Sequence, residues 1–232
     1  MGHNSRRLEL LGGWSPQEGE SIQLNTRMNL HSLTDPPYGY PSLLQLQFFS
    51  LKGRYFIEQN QFRLNEFVFI NALSLSRFHL FEPRLSWSMQ LGMRERQRVC
   101  NECLVGYVEF RTGITVASLS ERVSWVIFAD STLEGGKSVT TKVPLTLGLG
   151  GSTGLRLEFS KNAVFMGTIQ NLYWFFEKDV STRARGVMRW GILKNLAFTV
   201  DAKLLSANLS LEQQYLLTQP RWQLDSGLSI YF

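Results

Sequence analysis

The sequence predicts a single closed antiparallel transmembrane β-barrel of about twelve strands, within a range of roughly ten to fourteen. Many segments alternate apolar and polar residues with a period of two, the pattern of strands whose two faces meet different environments. Apolar residues form 44% of the 232 residues, yet the mean hydropathy is -0.11, so they are interleaved with polar ones. No run approaches the roughly 18 consecutive apolar residues that a membrane-spanning helix needs. If the chain spans a membrane, it must therefore form a closed barrel, the only other structure in which every backbone N–H and C=O group in lipid is hydrogen-bonded.

The first two strands show this alternation most clearly. Strand one is expected at about residues 5–14, with Leu8, Leu10 and Trp14 on one face. Strand two is expected over 21–31, and its polar face carries Ser21, Gln23, Asn25, Arg27, Asn29 and His31. Because a soluble sandwich would alternate in the same way, periodicity alone does not separate it from a membrane barrel.

The other strands follow in order to the end of the chain. They are expected at about 43–57, 62–72, 84–96, 104–117, 122–130, 155–160, 164–176, 182–192, 196–207 and 221–232. The apolar face of the third strand changes phase between Phe48 and Leu51, which predicts a β-bulge. The Gly-rich segment 135–154 lacks the lysine of a phosphate-binding loop, so it is interpreted as a flexible loop or a bent strand. Residues 209–218 are ambiguous and are assigned to the penultimate hairpin.

Charged strand faces favour the membrane alternative. One face of the fifth strand carries Leu85, Trp87, Met89, Leu91 and Met93. The opposite face carries Arg84, Arg94 and Arg96. Three arginines on one face would be costly in a packed core but suit a wet lumen. Aromatic residues, 12% of the chain, often lie near the expected strand ends, which is typical of interfacial girdles.

We expect the inward polar faces to form a cluster in the lumen. Its members are Ser5, Arg7, Glu9, Arg27, His31, Asp35, Arg84, Arg94, Glu109 and Arg111. Buried polar groups require hydrogen-bond partners, so the cluster is interpreted first as a structural network. A His31–Asp35 contact near Ser5 also keeps open a lipid hydrolase or acyltransferase, but no catalytic residue is assigned.

The two cysteines, Cys100 and Cys103, allow three interpretations. Zinc would need two more ligands, and His3, His31 and His79 are not paired in sequence, so no metal or other cofactor is predicted. A thioredoxin-like redox site needs a βαβ context that the sequence lacks. A short disulfide in a turn suits an exported protein, while two free turn thiols remain the alternative.

Charge and the N-terminal residues limit the partners. The net charge of +5 is spread along the strands rather than clustered, so nucleic acid is not an expected partner. Residues 1–7 contain no apolar signal-peptide core. Because an outer-membrane protein must be exported, we expect the domain at 1–232 to belong to a longer precursor.

The closing strand at 221–232 alternates strictly and ends on Tyr231 and Phe232. A strand of this kind that ends in Phe resembles the terminal strand of bacterial outer-membrane barrels. The resemblance implies that Tyr231 and Phe232 form the insertion signal for the barrel insertion machinery and that the last strand pairs with the first. It also implies outer-membrane lipid as a partner and the outer membrane of a Gram-negative envelope as the location.

Two N-terminal motifs carry a family resemblance. They are Gly2-His-Asn-Ser-Arg-Arg-Leu8, and His31-Ser-Leu-Thr-Asp-Pro-Pro-Tyr-Gly-Tyr40 followed by Leu44-Gln45. Together they resemble the pattern GH-x-SRRL … HDLLDP-x-x-GY … Q of a bacterial domain of unknown function, although Ser32 replaces the usual Asp. That domain follows Lnb-like periplasmic domains of the lipoprotein N-acyltransferase type. The resemblance implies a barrel partner for such an upstream domain, which would carry the chemistry.

The predicted function is that of a membrane anchor whose lumen is largely filled by polar and charged side chains. An anion-biased channel for small solutes is the alternative, because the polar faces also carry Arg54, Arg183 and Arg185. A lipid hydrolase or acyltransferase is less favoured, so this segment is expected not to be an enzyme.

Overall fold

Alternation over most of the chain produces twelve β-strands. The computed structural model describes residues 6–29, 32–35, 43–79, 83–95, 104–136, 144–208 and 220–232. The strands are β1 (Arg7–Ser15), β2 (Gly19–Asn29), β3 (Leu44–Phe56), β4 (Gln61–Ser74), β5 (Ser86–Glu95), β6 (Leu104–Ala117), β7 (Val123–Gly135), β8 (Leu145–Ser160), β9 (Ala163–Trp174), β10 (Asp179–Leu193), β11 (Leu196–Asn208) and β12 (Arg221–Tyr231). Within the described ranges there is no helix long and apolar enough to cross a membrane.

The strands form one closed antiparallel ring. Each strand pairs with its neighbours in sequence, and β1 pairs with β12 from Arg7 opposite Tyr231 to Trp14 opposite Leu224. Closure leaves no unpaired strand edge, which a barrel in lipid requires. The predicted twelve-stranded antiparallel barrel is therefore confirmed.

The two faces of the barrel wall differ in chemistry. On β5, Trp87 and Met89 are exposed on the outer face, whereas Ser86 and Ser88 are buried inside. Polar residues inside and apolar residues outside are the arrangement of a transmembrane barrel and the reverse of a soluble one. Aromatic rings also meet on the outer face, where Trp14 and Trp222 pack edge to face with centroids 4.9 Å apart.

The barrel has two distinct ends. We call the end where β1 begins and β12 ends the termini end, and the opposite one, with the β1–β2 turn, the far end. Strand β2 ends and β3 begins at the termini end. Between them in the chain, residues 32–35 are buried, so they turn into the lumen rather than outward.

The predicted bulge corresponds to two irregularities. Phe49 in β3 has a left-handed backbone, with φ 47°. The register between β3 and β4 then shifts after Lys52, because Lys52 pairs with Glu66 and Gly53 pairs with Leu64. The residue left without a β3 partner is therefore Asn65 of β4, which the alternation of β3 alone did not indicate.

The Gly-rich segment is mostly strand. β8 begins at Leu145 and pairs with β7 and β9 through its glycines, so the bent-strand interpretation holds there and the loop interpretation does not. A side chain at Gly148 would press on the ring of Trp174, with the closest ring atoms at 3.1 Å. A side chain at this position would therefore require the Trp174 ring to shift by a few tenths of an ångström.

The glycines at the closing seam offer a matched pair of substitutions. A Cβ at Gly227 would collide with the carbonyl oxygen of Leu10, whereas a Cβ at Gly12 would lie 3.9 Å from its nearest contact, the oxygen of Ser226. We expect Gly227→Ala to lower the free energy of unfolding by about 1–3 kcal/mol, and Gly12→Ala to change it by less than about 0.5 kcal/mol. Urea titration of the folded protein in micelles measures both, and equal values would contradict the close approach at the seam.

Several predicted positions lie outside the described residues. They are Ser5, His31, Cys100, Cys103 and the ambiguous segment 209–218. The disulfide and the His31 contact therefore remain predictions.

Candidate functional site

The segment Ser32–Asp35 is the part of the chain that crosses the lumen. Leu33 is fully buried in a small apolar cluster with Leu73, Leu75, Val126 and Phe128. Val126 and Phe128 belong to β7, which stands six strands from β1 in the ring and thus faces it across the lumen. Arg156 of β8 donates from Nε to the carbonyl oxygen of Leu33 at 3.0 Å. The segment is thus attached to the wall opposite β1.

Asp35 attaches the same segment to the other wall. Its fully buried carboxylate lies 3.1 Å from Nη1 of Arg7, 2.7 Å from Nη2 of Arg27 and 2.9 Å from Nη1 of Arg189. The hydroxyl of Tyr231 donates to it at 3.1 Å. One carboxylate therefore joins β1, β2, β10 and β12 to the segment, and buried charges of this kind are tolerated only when paired.

Glu9 extends this network along β1. Its carboxylate accepts hydrogen bonds from Nη2 of Arg189 at 2.9 Å, from Nδ2 of Asn25 at 2.6 Å and from the hydroxyl of Ser229 at 2.7 Å. Arg189 contacts both Glu9 and Asp35, so the two carboxylates share one guanidinium. We call the set Arg7, Glu9, Arg27, Asp35, Arg189 and Tyr231 the termini-end network.

A second set of ion pairs occupies the middle of the lumen on β3, β10, β11 and β12. Arg54 makes two bonds to Asp225, at 3.1 and 3.0 Å. Arg185 makes two bonds to Asp201, at 2.9 and 2.8 Å. The ammonium of Lys203 lies between the two acids, 3.4 Å from Asp201 and 3.2 Å from Asp225. Paired, planar contacts of this type are stronger and more specific than single ones.

A third set lies on β5, β6 and β7. Arg94 donates from Nε to Glu134 at 3.0 Å and has Glu109 at 3.5 Å. Glu109 also lies 3.1 Å from Nε of Arg111. Arg94 is further placed over the ring of Tyr107, with 4.2 Å between the guanidinium carbon and the centroid.

The space left in the lumen is divided into small cavities. The three cavities that polar residues line have volumes of about 260, 270 and 200 Å³. These values lie below the usual range for small-molecule pockets, about 300–1,000 Å³. In the part of the chain that the structure describes, no group of His, Cys, Asp and Glu side chains is arranged to hold a metal ion.

The structure divides the sequence-predicted lumen cluster. Arg7, Glu9, Arg27 and Asp35 lie together in the termini-end network, while Arg94, Glu109 and Arg111 lie in the third set. The two groups make different ion pairs because β5 and β6 stand several strands from β1 and β2 in the ring. Arg111 nevertheless lines the same cavity as Arg7 and Arg27. Arg84 belongs to neither, since it is exposed and precedes β5.

Sequence reasoning missed two members of the termini-end network. Arg189 lies between the outward residues Met188 and Trp190, so the alternation of β10 could have indicated its inward direction. Tyr231 was assigned only to the insertion signal, although the polar face of β12 includes it. Leu33 gave no comparable signal, because it lies in a connection without periodicity.

Comparison with known families identifies the domain. A family model described as a domain of unknown function, DUF7840, matches residues 1–225. The chain belongs to this family. DUF7840 membership agrees with the predicted resemblance to a domain of unknown function, whereas the Lnb-like upstream neighbour remains a prediction. No curated protein matches the chain.

Solved structures of similar fold are outer-membrane barrels. The NanC porin aligns over 97% of this chain and 100% of its own, with 6% identity and a TM-score of 0.56. The KdgM porin in complex with disordered oligogalacturonate aligns over 97% and 99%, with 9% identity and a TM-score of 0.50. The Acinetobacter baumannii outer membrane protein Omp33 aligns over 99% of both chains, with 9% identity and a TM-score of 0.42. The fold and location predicted for this DUF7840 domain, a barrel in the bacterial outer membrane, agree with the NanC and KdgM porin structures.

Proposed function

We propose that this domain is an outer-membrane anchor with a closed lumen, which holds an attached periplasmic domain at the membrane. The observation that carries the proposal is the segment Ser32–Asp35. Leu33 is packed against β7, and Asp35 is bonded to arginines of β1, β2 and β10. A segment held at both walls closes the path through a barrel.

The energetics of this contact favour the closed state. Moving the segment out of the lumen would separate the Asp35 carboxylate from three buried guanidinium groups. Leaving a buried charge without its partner costs about 3–5 kcal/mol, so an open state that kept these groups buried would be populated to less than about 1%. A lumen closed at this cost transports little, which fits an anchor better than a pore.

The other candidate is a channel for small solutes. The fold similarity to the NanC and KdgM porins favours it, and the KdgM structure is described as a complex with oligogalacturonate. For this chain, transport would require Ser32–Asp35 to leave the lumen. Ser5 and His31 lie outside the described residues, so no contact in the structure supports the enzyme alternative.

Planar-bilayer recording tests the closed lumen. We expect the purified, folded domain to insert and to give no steady conductance, because the segment and the ion pairs obstruct the path. The KdgM porin, reconstituted in the same bilayers, is the positive control. Protease-resistant protein in reconstituted vesicles establishes insertion independently of current. A large steady conductance from inserted protein would reject the closed lumen and support the channel.

A further inference from the structure

The cavity in the far half of the lumen has a positively charged wall. It has a volume of about 270 Å³, and its lining includes Lys52, Arg183, Arg185 and Lys203. The side chains of Arg185, Lys203 and Arg183 are 44%, 31% and 29% exposed. Their arrangement differs from that of an ordinary ion-pair network, in which both partners are equally covered.

The carboxylates that pair with these cations lie behind them. Asp201 and Asp225 have side chains that are 4% and 0% exposed, and neither lines this cavity. The pairs are close to neutral in total, but only their cationic members line this cavity, since Asp201 lines the neighbouring lumen cavity instead. A small cavity with low-dielectric walls concentrates such a field and attracts anions.

Three carboxylates also line the cavity. Glu66 pairs with Lys52, while Glu18 and Glu95 lie 3.1 and 3.9 Å from Arg63. The described lining has seven cationic side chains against these three carboxylates, so a positive excess remains; the cations are Lys52, Arg54, Arg94, Arg183, Arg185, Lys203 and Arg221.

Arg185, which lines the cavity, retains hydrogen-bonding capacity. Its Nε and Nη2 atoms each donate a hydrogen bond to the Asp201 carboxylate. Its Nη1 makes no hydrogen bond to any other described residue. An oxyanion next to Arg185 and Lys203 would accept charge-assisted N–H bonds from both.

We propose that this cavity binds a small oxyanion with two negative charges, of the size and chemistry of phosphate or a compact phosphate ester. The volume lies just below the usual range for ligand pockets, so it suits a small anion rather than a polymer. The site is independent of the closed-lumen function, because none of its lining residues belongs to the termini-end network. A closed anchor and a channel could both contain it.

Isothermal titration calorimetry with inorganic phosphate tests the site on the folded protein in micelles. We expect saturable binding that weakens about tenfold in Lys203→Gln, because one charge-assisted hydrogen bond is lost. The variant should fold, since Asp201 keeps Arg185 and Asp225 keeps Arg54. Lys161→Gln is the matched control, because Lys161 is exposed in the β8–β9 turn at the termini end.

The outcomes are distinct. Binding that is weakened by Lys203→Gln and unchanged by Lys161→Gln supports the site. An absence of saturable heat in the unmodified protein, or an equal loss in both variants, overturns it. If Lys203→Gln fails to fold, as judged by electrophoretic mobility without heating, Arg183→Gln takes its place with the same expected loss. Bilayer conductance is measured separately, so failure of this site leaves the closed-lumen test unaffected.

Discussion

Asp35→Asn is expected to lower the free energy of unfolding by about 3–5 kcal/mol, the largest effect of any substitution considered for this barrel. The asparagine keeps the size of the side chain and part of its hydrogen bonding, but it removes the only charge that this segment presents to Arg7, Arg27 and Arg189. Arg7 and Arg189 would then share the carboxylate of Glu9, while Arg27 would lose its ion pair with Asp35. Urea titration in micelles, followed by tryptophan fluorescence, measures the change.

The control for this prediction is an acidic residue on the surface. Glu20 is exposed at the start of β2, so Glu20→Gln should change the free energy of unfolding by less than about 0.5 kcal/mol. If Asp35→Asn were as stable as Glu20→Gln, the segment would not be held in the lumen by charge. The closed-lumen proposal would then lose its main support.

Met89→Arg is expected to cause the second large loss in the free energy of unfolding. Met89 lies on the outer face of the barrel wall, opposite to the lumen. Met89 lies near the middle of β5, and its side chain points outward with 37% exposure. An arginine on the lipid face near the bilayer midplane costs about 2–4 kcal/mol. We expect a loss of this size when the variant is unfolded from lipid vesicles.

An exposed leucine provides the control for Met89. Leu119 is 94% exposed and lies in the turn between β6 and β7, beyond the strands. Leu119→Arg should therefore be close to neutral. Equal losses in the two variants would show that the cost at Met89 is not a cost of burying charge in lipid. A spectroscopic label at Met89 that reports water would also contradict the orientation.

Local alternation determined that the chain is built of β-strands, their approximate number and the direction of most side chains. Ser86, Trp87, Ser88 and Met89 lie on the predicted faces because successive residues of a strand point to opposite sides, whatever their distant neighbours are. These features depend only on residues close together in sequence. The pairing of the last strand with the first was instead implied by the resemblance to outer-membrane barrels, and the structure confirms it.

The composition of the termini-end network was decided by the tertiary structure. Asp35 is separated by 154 residues from Arg189 and by 196 residues from Tyr231, and only closure of the ring places them within bonding distance. The tertiary structure also decided how the predicted lumen cluster is divided, because the distance between β5 and β1 around the ring cannot be inferred from the order of residues in the chain.

The position of Leu33 shows most clearly what the sequence could not determine. It begins the segment 33–42, whose consecutive prolines and Gly39 indicate a loop rather than a strand. The sequence determined the polar interior, but only the width of the finished barrel decided that a short segment could reach from Asp35 on one wall to Phe128 on the other. The physical reason is that a strand's faces follow from local geometry, whereas the filling of a lumen depends on the distance between walls that the chain builds far apart in sequence.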